Sequence, residues 1–409
     1  MDTHDFDLSR MRAAFPALKR LYNGMQVVYF DGPGGSQVAQ PVIAAVSQYM
    51  ERGGANLHGV HPTSIETEAV IVQARASMAA LLNCQPEEVA FGPNMTTLNF
   101  SISRALSRTW DANSEIVVTE MDHRANVDPW LLAARDAGAR VKWLSVDTET
   151  LTLRADVVAT TITPNTEVVA IGLASNAIGT IQDVARIALR AKEVGALVVV
   201  DAVHAVPHIS VDTEALHADI LLCSAYKFFG PHVGIAVVRE SVFEQLNVYK
   251  LDPAPASIPD KLETGTQNHE GLAGVAAAVG FIAEFGKGTT LREKLVSAMR
   301  AIEHYEDELA AHMRRELRSM PHVTLYAAGD EVRKTPTIAL TVSGRTPQSV
   351  CEQLVNHHSI FAADGDFYAS TLADRLGLHE TGGWVRIGLA PYNTRDEADA
   401  LLEALRRMG

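Results

Sequence analysis

Short apolar runs rich in valine and isoleucine alternate with stretches of helical period through the first part of the chain. The strand candidates are 27–30, 88–91, 116–119, 141–145, 168–173, 197–201, 219–223 and 233–238. Between them lie helix candidates at 41–52, 64–82, 96–108, 126–137 and 184–194. Continuous apolar strands separated by helices predict a mainly parallel sheet covered by helices on both faces. The pattern changes after Tyr249. A Pro-rich stretch, DPAPASIP (252–259), precedes a long helical region at 271–320 that breaks near Gly286 and Gly288. A strand (337–342), a helix (347–357), a strand (384–389) and a last helix (395–408) follow. The expected class is therefore α/β: a large domain over 23–285, and a smaller α/β domain built from 1–22 and 286–409.

Composition changes this picture little. A chain of 409 residues has room for about two to three domains. Hydrophobic residues at 47% and charged residues at 21% are ordinary for a soluble protein. The net charge of −14 argues against nucleic acid or an anionic membrane as the main partner. The three cysteines, Cys84, Cys223 and Cys351, fit neither a zinc knuckle nor a CxxC pair, and their scatter points to a reducing compartment. The opening MDTHDFDLSRMRAAF has no apolar core of a signal peptide, and no run approaches the roughly 20 apolar residues of a membrane span. The cytoplasm is the expected location.

Several segments carry chemistry. In DILLCSAYKFFGPHVG (219–234), Lys227 directly follows an apolar strand among aromatics. Burial there lowers an amine's pKa and leaves it neutral for imine formation; the alternative is a lysine snorkelling from a loop. LVVVDAVHAVPH (197–208) ends its strand in a lone carboxylate, Asp201, where open α/β sheets place their sites. Such a carboxylate suits the protonated ring nitrogen of pyridoxal phosphate, or simply caps a helix. FGPNMTTLN (91–99) opens a helix whose first-turn N–H groups and Thr96 can hold a dianion, or serve as an ordinary cap. In TEMDHRANVDPW (119–130), His123 follows a strand and can stack on a planar ring or cap a helix in solvent. In LASNAIGT (173–180), Asn176 can bond a ring hydroxyl or form a turn before Gly179. Together these signals place Thr96, His123, Asn176, Asp201 and Lys227 at the carboxyl ends of successive strands, a convergence that points to one site for pyridoxal 5′-phosphate.

In this order the motifs resemble the class V aminotransferase family, fold type I pyridoxal-phosphate enzymes, on the branch of cysteine desulfurases, selenocysteine lyases and isopenicillin N epimerase. The opening YFDGPGGSQ (29–37) resembles that branch's YLDNAA-type start, and VRIGLAPYNTRDEADALLEAL (385–405) its RxSxxxYNTxEEvD-type end. The resemblance implies that Lys227 is the Schiff-base lysine, Asp201 the partner of the ring nitrogen and His123 the ring-stacking histidine. It implies that His204 and Asn176 lie near the 3′-oxygen, with Asn176 also near the substrate. Met95 (through its N–H), Thr96, Ser224 and Tyr226 fall at the phosphate. Thr266, in ETGTQN, matches a residue that reaches the phosphate from the other subunit, which implies a homodimer with shared active sites. Arg386 matches the arginine that forks the substrate carboxylate. The implied substrate is an amino acid.

The sequence departs from the desulfurase pattern in two places. The stretch IFAADGDFYA (360–369) lacks the persulfide-forming cysteine, and Cys351 falls earlier, in a helix candidate. DAVH and YK replace the DxxQ and HK of many desulfurases. A C–S or related lyase, or an epimerase, is therefore expected first. An aminotransferase, a kynureninase-type C–C cleavage, and a catalytically silent homologue that binds the cofactor are the alternatives. DGPGGSQ lacks the GK[ST] of a P-loop, and no GxGxxG marks a dehydrogenase. His58 and His61 lack further ligands, so no metal site is expected. His357 and His358 read as a solvated helix end, and 303–308 as a solvated acidic face.

Overall fold

The computed structural model describes residues 6–409. Residues 1–5, part of the segment expected in the smaller domain, lie outside the described residues. Among the described residues the main sheet has 7 strands. They are β1 (Val89–Gly92), β2 (Glu115–Thr119), β3 (Arg140–Leu144), β4 (Thr166–Gly172), β5 (Leu197–Asp201), β6 (Ile220–Ser224) and β7 (Gly234–Val238), in the order β1-β7-β6-β5-β4-β2-β3. Neighbours from β6 through β3 pair parallel, whereas β7 is antiparallel to both β6 and β1. The sheet is mainly parallel, as its continuous apolar runs predict.

Alternation along each strand feeds two cores. Val117, Val169, Ile171, Val198 and Val200 face one side, against the helices Pro62–Leu82, Val184–Val194 and His269–Ala283. Ile116, Val118, Val168, Ala170 and Val199 face the other, against Met95–Leu106 and Asp128–Ala137. Both faces are covered, so neither can be polar, and this is why the strands read as unbroken apolar runs. Met11, Phe15 and Leu18 join the first of these cores.

The second sheet contains β8 (Val323–Tyr326), β9 (Thr337–Val342), β10 (Ala363–Gly365) and β11 (Trp384–Gly388), ordered β8-β9-β11-β10 and antiparallel throughout. Its core takes Leu309 and Met313 from the long helix Leu291–Arg318, and Leu401 and Leu405 from Arg395–Arg406. The long helical region breaks where expected, between Ala283 and Leu291, and a capping box of Thr290 and Glu293 restarts it.

Three details differ from the sequence-based expectation. The candidate at 27–30 joins neither sheet: Val28–Tyr29 pairs parallel with Ile360–Phe361. An apolar run shows that a strand is buried, not which edge receives it. The strands β8 and β10 have no counterpart among the strand candidates. β10, ADG, contains no β-branched or aromatic residue and carries no strand signal, whereas β8, VTLY, has strand-forming residues but is only half-buried and four residues long, too short to show a period.

Candidate active site

The carboxyl ends of β1, β2, β4, β5 and β6 converge on one cavity of about 320 Å³, closed on the far side by β11, the turn 33–34 and the corner 367–368. Met95, Thr96, His123, Asn176, Asp201, His204, Ser224, Tyr226, Lys227 and Arg386 all line it. Thr266 does not: it is exposed, in the stretch before the helix His269–Ala283.

At one end, Asn94 caps the helix Met95–Leu106 by accepting from the Thr97 N–H at 2.8 Å, and the Met95 N–H donates to Ser224 Oγ at 3.1 Å. The helix start reaches this position because β7 begins with glycine: a Cβ on Gly234 would lie 2.2 Å from the carbonyl carbon of Asn94. The first-turn N–H groups, Thr96 and Ser224 thus form a small polar cup that suits an anion.

Asp201 ends β5 and accepts from the Val203 N–H at 2.9 Å. Burial raises its pKa to about 6, against the opposing pull of that hydrogen bond and of Lys227. Among the described residues no cation hydrogen-bonds to it. His204, one turn on, places Nε2 2.8 Å from Thr337 Oγ1 and 3.0 Å from Thr335 Oγ1; burial pushes its pKa well below the usual range. Its ring packs edge-on, 5.5 Å from His208, which pairs with buried Glu306 at 2.9 Å.

His123 accepts from the Ala125 N–H at Nδ1, 2.9 Å, so the neutral ring carries its proton on Nε2. Burial, and then the charges of Lys227 and Arg386, lower its pKa to about 4. Its ring faces Tyr368 at 5.3 Å.

Lys227 follows β6 in a single 3-10 turn, Ala225–Lys227. Its ammonium donates to the Pro33 carbonyl and lies 4.6 Å from the Tyr226 ring. Tyr226 in turn stacks on His232 at 4.8 Å. Burial and the nearby Arg386 charge lower the Lys227 pKa to about 8, with Asp31 and Asp201 opposing. An amine at about 8 is partly neutral at physiological pH, the form that attacks a carbonyl.

Arg386 lies on β11, where Val385 and Ile387 turn into the core beneath the smaller sheet and Arg386 turns the other way. Its cross-strand partners are Ala339 and Ala363, small enough to leave the guanidinium room. Nη1 donates to the Asn176 carbonyl and Nη2 to Asp31 Oδ1, each at 3.1 Å; among the described residues Nε has no partner. The Asn176 side chain donates to the Phe367 carbonyl at 2.9 Å, while its buried Oδ1 has no partner among the described residues.

A family model described as aminotransferase class-V matches residues 28–401. The chain belongs to the class V aminotransferase family. Members of this family are pyridoxal-phosphate enzymes. An uncharacterized protein of Mycobacterium tuberculosis is 32% identical over 408 residues, covering 99% of this chain and 100% of its own length. A cysteine desulfurase of an Enterobacter species is 28% identical, covering 98% of each chain. The solved structure of a cysteine desulfurase from Escherichia coli superposes with a TM-score of 0.85 at 25% identity, covering 98% of each chain. These likenesses establish the fold type I architecture for this class V member.

The structure adds residues to the cavity that the sequence did not single out. Asp122 lines it, accepting from the Gly172 N–H at 2.8 Å and from Asn126 at 3.0 Å. Burial, with Asp201 adding repulsion, raises its pKa to about 7. Its one signal in the sequence is its place beside His123 at a strand end. Phe367 and Tyr368, from the cysteine-free stretch 360–369, form the outer wall. Asp31 belongs to the Gly-rich opening motif, and nothing local marks it as the partner of Arg386.

Proposed function

We propose that this chain is a pyridoxal-phosphate-dependent enzyme acting on an amino acid, with Lys227 as the residue that bonds the cofactor. One observation carries the reading: Lys227, Asp201, His123 and Arg386 face a single cavity although they come from four separate elements. The residues present fit the group. A half-buried carboxylate to which, among the described residues, no cation hydrogen-bonds (Asp201) meets the need of a protonated ring nitrogen. The cup of Met95, Thr96 and Ser224 meets that of a phosphate, and the unpartnered Asn176 Oδ1 is an open acceptor on the wall. When bound, pyridoxal 5′-phosphate supplies an electron sink for charge that develops at the substrate Cα.

The chain's own residues do the rest. Arg386 binds the α-carboxylate and so orients Cα. Lys227 Nζ, its pKa lowered to about 8, moves the proton at Cα. Neutral His123 and the corner 367–368 shield that side of the cavity from water. His204, held by Thr335 and Thr337, would lie beside the cofactor's ring oxygen.

Lyase or epimerase chemistry is the favoured outcome. The stretch 360–369 contains no cysteine. Cys351 is buried in the helix Pro347–His358, outside the cavity lining, and burial pushes its thiol up to about 12. Both features oppose a protein persulfide. The proposal also includes a homodimer in which Thr266 reaches the partner's phosphate site, the domain division 23–285 against 1–22 with 286–409, and a cytoplasmic location. Exposed Ile43, Met50, Val60, Ile65 and Val72, on and between the first two long helices, support the dimer. Among the described residues no helix is long and apolar enough to cross a membrane.

The test is the visible spectrum of the protein loaded with pyridoxal phosphate, wild type beside Lys227→Ala, followed by titration with a panel of amino acids and product analysis. A yellow band that borohydride removes, and that the variant lacks, supports the reading. The amino acid that perturbs the band identifies the substrate, and its product separates elimination from epimerisation and amino transfer. A protein that stays colourless after addition of the cofactor overturns it, and a persulfide on Cys351 with cysteine as substrate overturns the preferred chemistry.

A further inference from the structure

The carboxylate-binding face of Arg386 already holds a carboxylate. Asp31 Oδ1 pairs with Arg386 Nη2 at 3.1 Å, and among the described residues it is the acid that reaches this guanidinium. The two partners sit in unlike surroundings: Arg386 is 4% exposed, whereas the Asp31 side chain is 44% exposed. Asp31 can therefore turn toward water at small cost, but Arg386 cannot.

The backbone holds Asp31 in place. It immediately precedes the 3-10 turn Gly32–Gly34 and bridges to Gly388 at the end of β11. Its carboxylate lies against Gly34, where a Cβ would come within 2.2 Å of Asp31 Oδ2. A residue with a side chain at 34 would crowd Asp31 from its position. The turn brings the acid to the arginine, and only the side chain has to move for the pair to open.

We propose that Asp31 is a resident occupant of the substrate-carboxylate site. It keeps the buried guanidinium paired until an amino acid arrives, competes with the incoming α-carboxylate, and sets the selectivity of the site. This rests on the reading of Arg386 as the carboxylate anchor. The incoming carboxylate exchanges one ion pair for another, so its apparent affinity reflects a difference between two pairs. Once displaced, Asp31 remains at the edge of the cavity as a negative charge. It opposes a second anionic group, and the substrate class it favours is amino acids without an acidic side chain.

The experiment is a calorimetric titration of propionate into wild type, Asp31→Asn, Asp31→Glu and Arg386→Gln, with alanine, glutamate and alanine methyl ester titrated spectroscopically into the cofactor-loaded proteins. Asp31→Asn should bind propionate about fivefold tighter, Asp31→Glu should return toward wild type, and the ester should show no gain. Glutamate should gain more than alanine. Equal or weaker propionate binding by Asp31→Asn, as a purely structural role for Asp31 requires, overturns the proposal. Arg386→Gln separates the two levels. If it still binds propionate like wild type, the anchor reading fails and the proposal with it. If it loses binding while Asp31→Asn is unchanged, only the proposal fails. A protein that takes up no cofactor sinks the functional reading, and the propionate series still decides the role of Asp31.

Discussion

The ring of Phe367 lies 3.8 Å from the guanidinium carbon of Arg386. The backbone reaches this contact through two consecutive left-handed residues, φ +54 at Phe367 and +58 at Tyr368. Each such residue costs about 1–2 kcal/mol without glycine. The corner persists because the Arg124 N–H donates to the Tyr368 carbonyl at 2.8 Å and the Asn176 side chain to the Phe367 carbonyl. A strained corner that supports an arginine at a cavity wall is a common mark of a working site.

This contact makes Phe367 a support for the carboxylate anchor. Phe367→Leu keeps an apolar side chain but removes the aromatic face. It should weaken amino-acid binding by about 1 kcal/mol, roughly fivefold, with Phe367→Tyr close to wild type. Spectroscopic titration of the cofactor-loaded proteins measures this. An unchanged affinity in Phe367→Leu shows that the ring is only filler.

Cofactor attachment should report the depressed pKa of Lys227. The attacking form is the neutral amine, which is present above the pKa. In the cofactor-free protein the attachment rate should rise about tenfold per pH unit below about 8 and level off above it. An unperturbed lysine would keep rising up to about pH 10. Arg386→Gln removes a repelling charge, so the inflection should move upward. Stopped-flow absorbance across pH measures both, and an inflection that stays put in Arg386→Gln excludes the arginine as a cause.

Asp201 should cost the empty protein stability. Its folded pKa is raised to about 6, above the usual carboxylate value, so between the two values the folded state holds more protons than the unfolded one. Stability attributable to this group therefore falls as pH rises through that window and stays reduced above it. Asp201→Asn should raise the melting temperature of the cofactor-free protein at pH 8, by a free energy on the order of 2 kcal/mol. The gain should shrink as pH is lowered to about 5. The same variant should lose most activity when loaded with cofactor. A melting temperature that does not change at pH 8 contradicts the argument.

Much of this site is legible in the order of residues along the chain. Lys227, Asp201, His123 and Asn176 each end or follow an apolar run, and the carboxyl ends of parallel strands meet at one edge of a sheet wherever helices cover both faces. Burial along a strand is a local property written in the period of its side chains. The orientation of β7, the edge that receives Val28–Tyr29, and the strands β8 and β10 are not legible there, because pairing partners lie far apart in the chain.

The sequence alone determined the covered parallel sheet and the polar residues at its strand ends, since unbroken apolar runs mark strands buried on both faces; the arginine on β11 entered through the resemblance of its motif. Tertiary structure decided which groups meet. Asp31 and Arg386 are 355 positions apart, and His204 finds Thr337 across 133. The strained placement of Phe367 follows from hydrogen bonds offered by Arg124 and Asn176. An acid in a Gly-rich turn or an aromatic in a loop has no period to betray its partner; only the packing of distant segments against each other assigns it one.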